Sequence, residues 1–493
     1  MTRKSGILLH ITSLPGKYGI GTMGKEARAF VDFLVASGQK LWQILPLGHT
    51  GYGDSPYQCF SAFAGNPLLI DLDKLIEAAL LTEEEVPKDH FPEHEVDYGK
   101  VFTYKYTLLG KAFGRFPKSS DKELKGQYDS FITSNKWWLD DYALFMALKD
   151  HHEGKPWPEW SEQIKMREAG ALKRYGEHLA KQVEFYRFLQ FLFYHQWLEL
   201  KAYANVNNIE IIGDLPLYVA FDSADAWANP EIFDFDDSLT PRTIAGVPPD
   251  YFSETGQLWG NPIYDWKYLE EHHFSWWIDR IKANFLLYDI LRIDHFRGLA
   301  AYWSVPYGED TAINGRWIDA PGHAMLKAVY KELGEKPIIA ENLGVITPDV
   351  EEMREAFNMP GMKILQFAFD SGEENEFIPH TYDKNSVVYT GTHDNNTTLG
   401  WYRDSSAQDK RNVKDYFCFD EKDPAWSFIR LAWSTVSNIA IAPMQDILRL
   451  GAEARMNFPG KAPGYWKWRY AKKMLTEKHA EDLLKMTKTY GRS

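Results

Sequence analysis

Eight short apolar runs recur along the chain. They are GILLHIT (6–12), KLWQILPL (40–47), IEIIGDL (209–215), LLYDILRID (286–294), KPIIAEN (336–342), MKILQFAF (362–369), SVVYTGTHD (386–394) and NIAIAPMQD (438–446). Several are near-continuous Ile/Val/Leu stretches without in–out alternation, the pattern of parallel strands buried on both faces. Between them the spacing becomes helical. Residues 24–37 set Ala27, Phe30, Phe33 and Leu34 on one face before Gly38 stops the helix. Residues 176–204 repeat Leu179, Val183, Tyr186, Phe191, Tyr194 and Trp197 at spacings of three to five. Thr347-Pro348 reads as an N-cap followed by a first-turn proline, opening a helix to Phe357. Alternating strands and helices predict an α/β fold. Eight repeats of the unit predict a (β/α)8 TIM barrel rather than an open sheet.

Two connections are too long for bare loops. Residues 52–208 are rich in charged residues, Trp, Tyr and Leu, and predict a mostly helical insertion after strand two, whose last helix belongs to the barrel. Residues 216–285 separate strands three and four and contain the Pro/Gly/aromatic run GVPPDYFSETGQLWGNP, an active-site loop at 246–262. The catalytic barrel is then residues 1–51 and 209–493.

Composition narrows the function. The balance of 44% hydrophobic and 25% charged residues over 493 positions is that of a soluble globular protein. No apolar run approaches the ~18–20 residues of a membrane span, and the apolar run near the N-terminus is too short for a signal peptide. Cys59 and Cys418 are the two cysteines; a lone disulfide is one reading, and a pair of thiols in a reducing cytoplasm fits better. A net charge of −14 without a basic cluster argues against nucleic acid. Eighteen Trp, 27 Tyr and 29 Phe, many beside Gly and polar residues, suit stacking on the apolar faces of sugar rings as well as packing in a core. The expected assembly is a monomer or weak homodimer.

In a barrel, reactive groups come from the C-terminal ends of strands. Strand three ends in GDLPLYV with Asp214, strand four in RIDHF with Arg292 and Asp294, strand five in AEN with Glu341, and strand seven in GTHDNN with His393 and Asp394. One acidic residue at a strand end is usually structural. Four on one rim repel one another, and a fold avoids that unless the site uses them. Glycosidic cleavage needs such a group: an acid for the leaving oxygen, a carboxylate to attack the anomeric carbon or activate water, and negative charge beside an oxocarbenium-like transition state. Arg292, two residues before Asp294 on one strand face, would keep Asp294 ionised. The rival is a divalent metal held by Asp294, His295, Glu341, His393 and Asp394. No H-x-H or H-E-x-x-H motif supports it, and no metal or other cofactor is expected. The GxG of GYGDSPY lacks the GK[ST] of a phosphate loop.

At these residues the chain resembles the 4-α-glucanotransferases called amylomaltase or disproportionating enzyme, glycoside hydrolase family 77 of the α-amylase clan. The likeness runs through PLGHTGYGDSPYQ, SAFAGNPLLIDLD, IIGDLPLYVA, GVPPDYFSETGQLWGNPIYDW, RIDHFRGL, IIAENLGVIT, VVYTGTHDNNTTLGW and ARMNFPG. It implies Asp294 as nucleophile, Glu341 as acid/base and Asp394 as the third carboxylate. It implies Tyr57, Asp214, Arg292 and His393 around the attacked glucose, Ser55, Asp370 and Asn457 along further donor units, and Asp250, Gln257, Trp259 and His295 on the acceptor side. Tyr52 resembles a residue of a secondary glucan groove. His49, Asn396 and Phe458 depart from the family's usual Pro, Asp and Thr. The implied substrates are malto-oligosaccharides and α-glucans. A hydrolase with the same carboxylates is the nearest alternative, and a non-catalytic glucan-binding protein the alternative from another class.

Overall fold

The computed structural model describes residues 3–249, 253–372, 374–461 and 464–493. Each of the eight apolar runs contributes one barrel strand: β1 Lys4–Leu8, β2 Leu41–Gln43, β3 Glu210–Leu215, β4 Ile290–Ile293, β5 Ile338–Ala340, β6 Gly361–Ile364, β7 Ser386–Tyr389 and β8 Ile439–Pro443. All neighbours pair in parallel in sequence order, and β8 pairs with β1 to close the ring. Ile7, Leu41, Ile211, Leu291, Ile339, Ile364, Val388 and Ile441 are wholly buried, which is why these runs lack polar alternation. The register sets Asp214 opposite Arg292 on adjacent strands.

The runs extend beyond the strands because apolarity marks burial, not extension. Leu286 and Leu287 end the helix Ser275–Leu287. Leu365–Phe367 turn into a 3-10 helix after β6, and Met444–Ile447 into a helical turn after β8. The helix at 24–37 is Lys25–Ala36, with Ala27, Phe30, Val31 and Leu34 buried and Phe33 half-buried. The 176–204 segment divides at Leu179 into Ala169–His178 and Ala180–Val206. Thr347 occupies the N-cap position of Pro348–Ala356, but its side chain does not cap the helix. Its Oγ1 accepts instead from Arg297 Nη1 at 3.1 Å.

Between β2 and β3 the described chain is mostly helical. The long helices Lys122–His151 and Ala180–Val206 meet through rings, with Tyr128 against Phe191 at 5.4 Å and Phe131 against Tyr194 at 5.3 Å. Such pairs add about 0.5–1.5 kcal/mol each beyond the area they bury. A four-stranded antiparallel sheet flanks the barrel in the order Gln257–Pro262, Thr243–Val247, Ala301–Pro306, Arg316–Asp319. Two of its strands precede β4 and two follow it, and Ile244, Val305 and Ala312 form its small core. Among the described residues no helix is long and apolar enough to cross a membrane.

Candidate active site

The C-terminal ends of β3, β4, β5 and β7 bring the predicted charges together. Asp214 is buried near the end of β3. At Gly213 a Cβ would lie 2.1 Å from the Tyr288 ring, so only glycine lets that ring pack against the strand just below Asp214. Arg292 Nη1 donates to both Asp214 oxygens at 2.6 Å, and its Nη2 lies 2.9 Å from Asp294 Oδ1. Its Nε points to Met362 Sδ at 3.4 Å. Against the cost of burial, the charges of Asp214 and Asp294 hold the guanidinium ionised.

Directly after Asp294, His295 adopts a left-handed backbone with φ 53°. Histidine tolerates that region better than most residues, and such conformations collect at functional sites. The turn aims the His295 N–H at Glu341 Oε2 (2.6 Å), while Leu343 N–H donates to Oε1 at 3.0 Å. Burial nevertheless dominates and pushes the Glu341 carboxyl well above the ordinary range, with Arg292 opposing. Burial raises Asp294 as well, again opposed first by Arg292. The guanidinium touches Asp294 directly, which favours its ionised form.

Asp394 follows β7. Its Oδ1 accepts from Asn457 Nδ2 at 2.6 Å and its Oδ2 lies 3.3 Å from His393 Nε2. Arg455 Nη2 donates to the Asp394 carbonyl and Nε to the Asn457 carbonyl, each at 2.6 Å, locking the two segments together. Burial lowers the His393 pKa, keeping the ring neutral near pH 7. His393 stacks on Tyr57 at 5.3 Å and 14°, and Tyr57 donates to Asp214 Oδ2 at 2.7 Å. The result is a polar floor with aromatic walls, suited to a sugar ring.

On the other side of Asp294, Trp259 stands edge-on to His295 at 4.8 Å, and Gln257 Oε1 accepts from Trp259 Nε1 at 3.2 Å. Burial lowers His295 to about 4, and its buried Nε2 has no hydrogen-bond partner among the described residues. Such an atom is costly unless a ligand or water completes it.

The remaining predicted residues are less closely tied. Ser55 Oγ accepts from Tyr57 N–H at 3.3 Å and shapes the turn that presents Tyr57. Asp370 is exposed after β6 and accepts from Ser371 Oγ and Asn375 Nδ2 (3.0 and 3.2 Å), with no hydrogen bond to the three carboxylates. Asp250, Tyr251 and Phe252 of the 246–262 loop, and the side chain of Tyr52, lie outside the described residues. Among the described residues no group of three or more His, Cys, Asp or Glu is arranged to hold a metal ion. Cys59 and Cys418 are both free thiols, so the disulfide reading does not hold.

Each departure from the family pattern has local partners. His49 is buried, with Nδ1 2.7 Å from Tyr142 OH and Nε2 3.2 Å from Tyr106 OH. Asn396 Oδ1 accepts from Thr397 N–H at 2.9 Å. Phe458 sits between the Arg455 and Lys461 cations at 4.1 and 4.0 Å.

Sequence reasoning missed Arg455, Trp466 and Tyr218. Arg455 lies inside ARMNFPG, two residues before Asn457, so a basic partner was available to find. Trp466 contacts both Tyr57 (5.7 Å) and His393 (5.9 Å), and Tyr218 flanks His295 at 6.4 Å. No local pattern separates those rings from core aromatics.

A family model described as 4-alpha-glucanotransferase matches residues 9–476. The chain is 51% identical to the 4-alpha-glucanotransferase of Synechocystis sp., covering 99% of this chain and 98% of that one. It is 48% identical to the 4-alpha-glucanotransferase of Thermus thermophilus, covering 100% and 99%. Its structure is similar to that of the amylomaltase from Streptococcus agalactiae in complex with acarbose, with a TM-score of 0.97, 43% identity and full coverage of both chains. The chain is therefore a glycosyltransferase enzyme belonging to the 4-alpha-glucanotransferase family, glycoside hydrolase family 77.

Proposed function

We propose that the enzyme moves segments of (1→4)-α-D-glucan to the 4-hydroxyl of an acceptor glucose or glucan by retaining double displacement, with Asp294 as nucleophile, Glu341 as acid/base and Asp394 as the third carboxylate. The observation that carries this reading is the unequal treatment of two carboxyls in one cleft. Arg292 contacts Asp294 at 2.9 Å, whereas Glu341 has no such contact and burial raises it. Burial raises both carboxyls, and the direct guanidinium contact favours the ionised form of Asp294, which suits one ionised attacker and one protonated donor.

Glu341 protonates the glycosidic oxygen as Asp294 attacks the anomeric carbon. The leaving chain departs with its reducing end, and the remaining sugar is held as an ester. Glu341, now ionised, takes the proton of the incoming 4-hydroxyl, and the bond to Asp294 breaks with its electron pair returning to the carboxylate. Asp394, oriented by Asn457, binds hydroxyls of the distorted sugar and places negative charge beside the oxocarbenium-like centre. Tyr57, Asp214, Arg292 and His393 surround that sugar, Ser55, Asp370 and Asn457 serve further donor units, and Asp250, Gln257, Trp259 and His295 serve the acceptor.

Sugar must outcompete water at ~55 M for the ester. Effective molarities of ~10⁵ M or more for well-oriented groups make this feasible when the acceptor is bound and water excluded. The free thiols Cys59 and Cys418 suit a reducing cytoplasm. Incubation with maltotriose tests the function. Transfer yields glucose and longer oligosaccharides at a nearly constant number of reducing ends. Reducing ends that rise in step with product, with nothing longer than maltotriose, would make the enzyme a hydrolase.

A further inference from the structure

A second pocket lies beside the barrel mouth, outside all the residues assigned above. Its volume is about 230 Å³ and its walls include Trp137, Trp276 and Tyr268 together with Asp279 and Glu231. That is below the ~300 Å³ at which pockets for drug-sized ligands begin, and it suits a single pyranose ring. We propose that this pocket binds one glucose unit of a long α-glucan, a site separate from the catalytic cleft; the choice of glucan rests on the function proposed above.

The aromatic wall is rigid. Phe63 packs against Trp137 at 4.7 Å, Trp138 at 6.2 Å and Trp276 at 6.3 Å. The Arg280 guanidinium lies 5.2 Å from the Trp276 ring, and the same group donates to the carbonyls of Pro216 (2.7 Å) and Leu217 (3.0 Å), immediately beyond β3. The pocket is thus anchored to the catalytic end of the barrel. Trp137 keeps 51% of its surface exposed although a ring of that size gains by burial, so a stacking face remains open.

The polar groups are unfilled and of the kind a sugar completes. Trp276 Nε1 is buried with no hydrogen-bond partner, and Asp279, exposed on the pocket wall, makes no hydrogen bond or ion pair among the described residues. Partial desolvation raises the Asp279 carboxyl, with the charge of Lys282 opposing. Glu231 is likewise without an ion pair among the described residues. Hydroxyls of a pyranose donate to the carboxylates and accept from the indole N–H, while its apolar face covers an exposed ring. An anionic ligand would meet the carboxylates of Asp279 and Glu231.

Native electrophoresis through gels with and without amylopectin tests the site. Trp137→Ala, at an exposed position, is expected to weaken retardation by about tenfold, the loss of one stacked face. Asp279→Ala should weaken it several-fold, and both should turn over maltotriose within about twofold of wild type, since an exposed site off the cleft leaves catalysis intact. Unchanged retardation in both variants would overturn the proposal. Fluorescence quenched by tetramethylammonium chloride but not by maltose would also overturn it, assigning the pocket to cations. Retardation lost in the variants while even the wild type leaves maltotriose untouched would uphold the pocket and count against the proposed function instead.

Discussion

One guanidinium ties Asp294 to Asp214: Arg292 Nη1 lies 2.6 Å from Asp214 and Nη2 2.9 Å from Asp294. The buried Asp214 fixes where the arginine sits, and the arginine favours the ionised form of Asp294. Removing the positive charge removes the group that opposes the burial-driven rise at both Asp294 and Glu341. Arg292→Gln is therefore expected to lower kcat/KM at least ~10²-fold and to move the acid limb of its pH profile upward, because Asp294 would ionise only at higher pH. Wild type should keep its alkaline limb well above the usual carboxylate range, since Glu341 must stay protonated. A steady-state pH profile checks both limbs; an unmoved acid limb would separate Arg292 from the ionisation of Asp294.

Asn457 holds Asp394 by a 2.6 Å bond. Asn457→Ala leaves Asp394 present but free to turn and should cost about tenfold in kcat, whereas Asn457→Asp sets a like charge against it and should cost ~10²-fold or more. Equal loss in the two variants, measured with maltotriose, would reduce Asn457 to a spacer.

Trp259 stands edge-on to His295, the pair proposed to face the acceptor. Trp259→Ala should weaken acceptor binding and raise the share of hydrolysis several-fold while the first displacement persists. Counting reducing ends against total cleavage measures that share, and an unchanged ratio would take Trp259 out of the acceptor site.

Burial between Tyr142 and Tyr106 pushes the His49 pKa down from its ordinary 6.5 to about 3. The unfolded chain binds that proton more tightly than the folded one. Its contribution to stability is therefore complete above the unfolded pKa and is lost as pH falls through the window toward the folded value. His49→Phe should cost about 1–3 kcal/mol at pH 7 by removing the ring partner of the Tyr106 hydroxyl and leaving Tyr142 OH with Gln190 alone, and should flatten the fall in Tm between pH 7 and pH 4. A parallel pair of Tm curves would place the acid sensitivity elsewhere.

The barrel was readable because parallel strands buried on both faces leave uninterrupted apolar runs, and all eight runs contribute a strand. Strand ends were not, because residues such as Leu365 and Met444 stay buried after the backbone has turned. The antiparallel sheet left little trace: Gly246, Gly260 and Pro262 interrupt its strands, and its outer strand Arg316–Asp319 is largely exposed. At the site, Arg292 and Asp294 were legible from a spacing of two on one strand. The Asn457–Asp394 bond joins residues 63 apart, and only the resemblance pointed to Asn457. The left-handed turn at His295, which aims a backbone N–H at Glu341, has only the weak signature of a histidine's tolerance for that region.

The most direct test of the proposed chemistry traps the sugar on the protein. Glu341→Gln preserves the shape of the acid/base residue without its proton and should slow unactivated glucans at least ~10²-fold. A glycosyl fluoride donor, whose leaving group needs little protonation, should still react in the first step and accumulate as an ester. Peptide mass analysis of that protein is expected to find the sugar on the segment 292–297, at Asp294. A label on Asp214 or Asp394 instead, or an inverted product anomer by NMR, would contradict the assignment of Asp294 as the nucleophile.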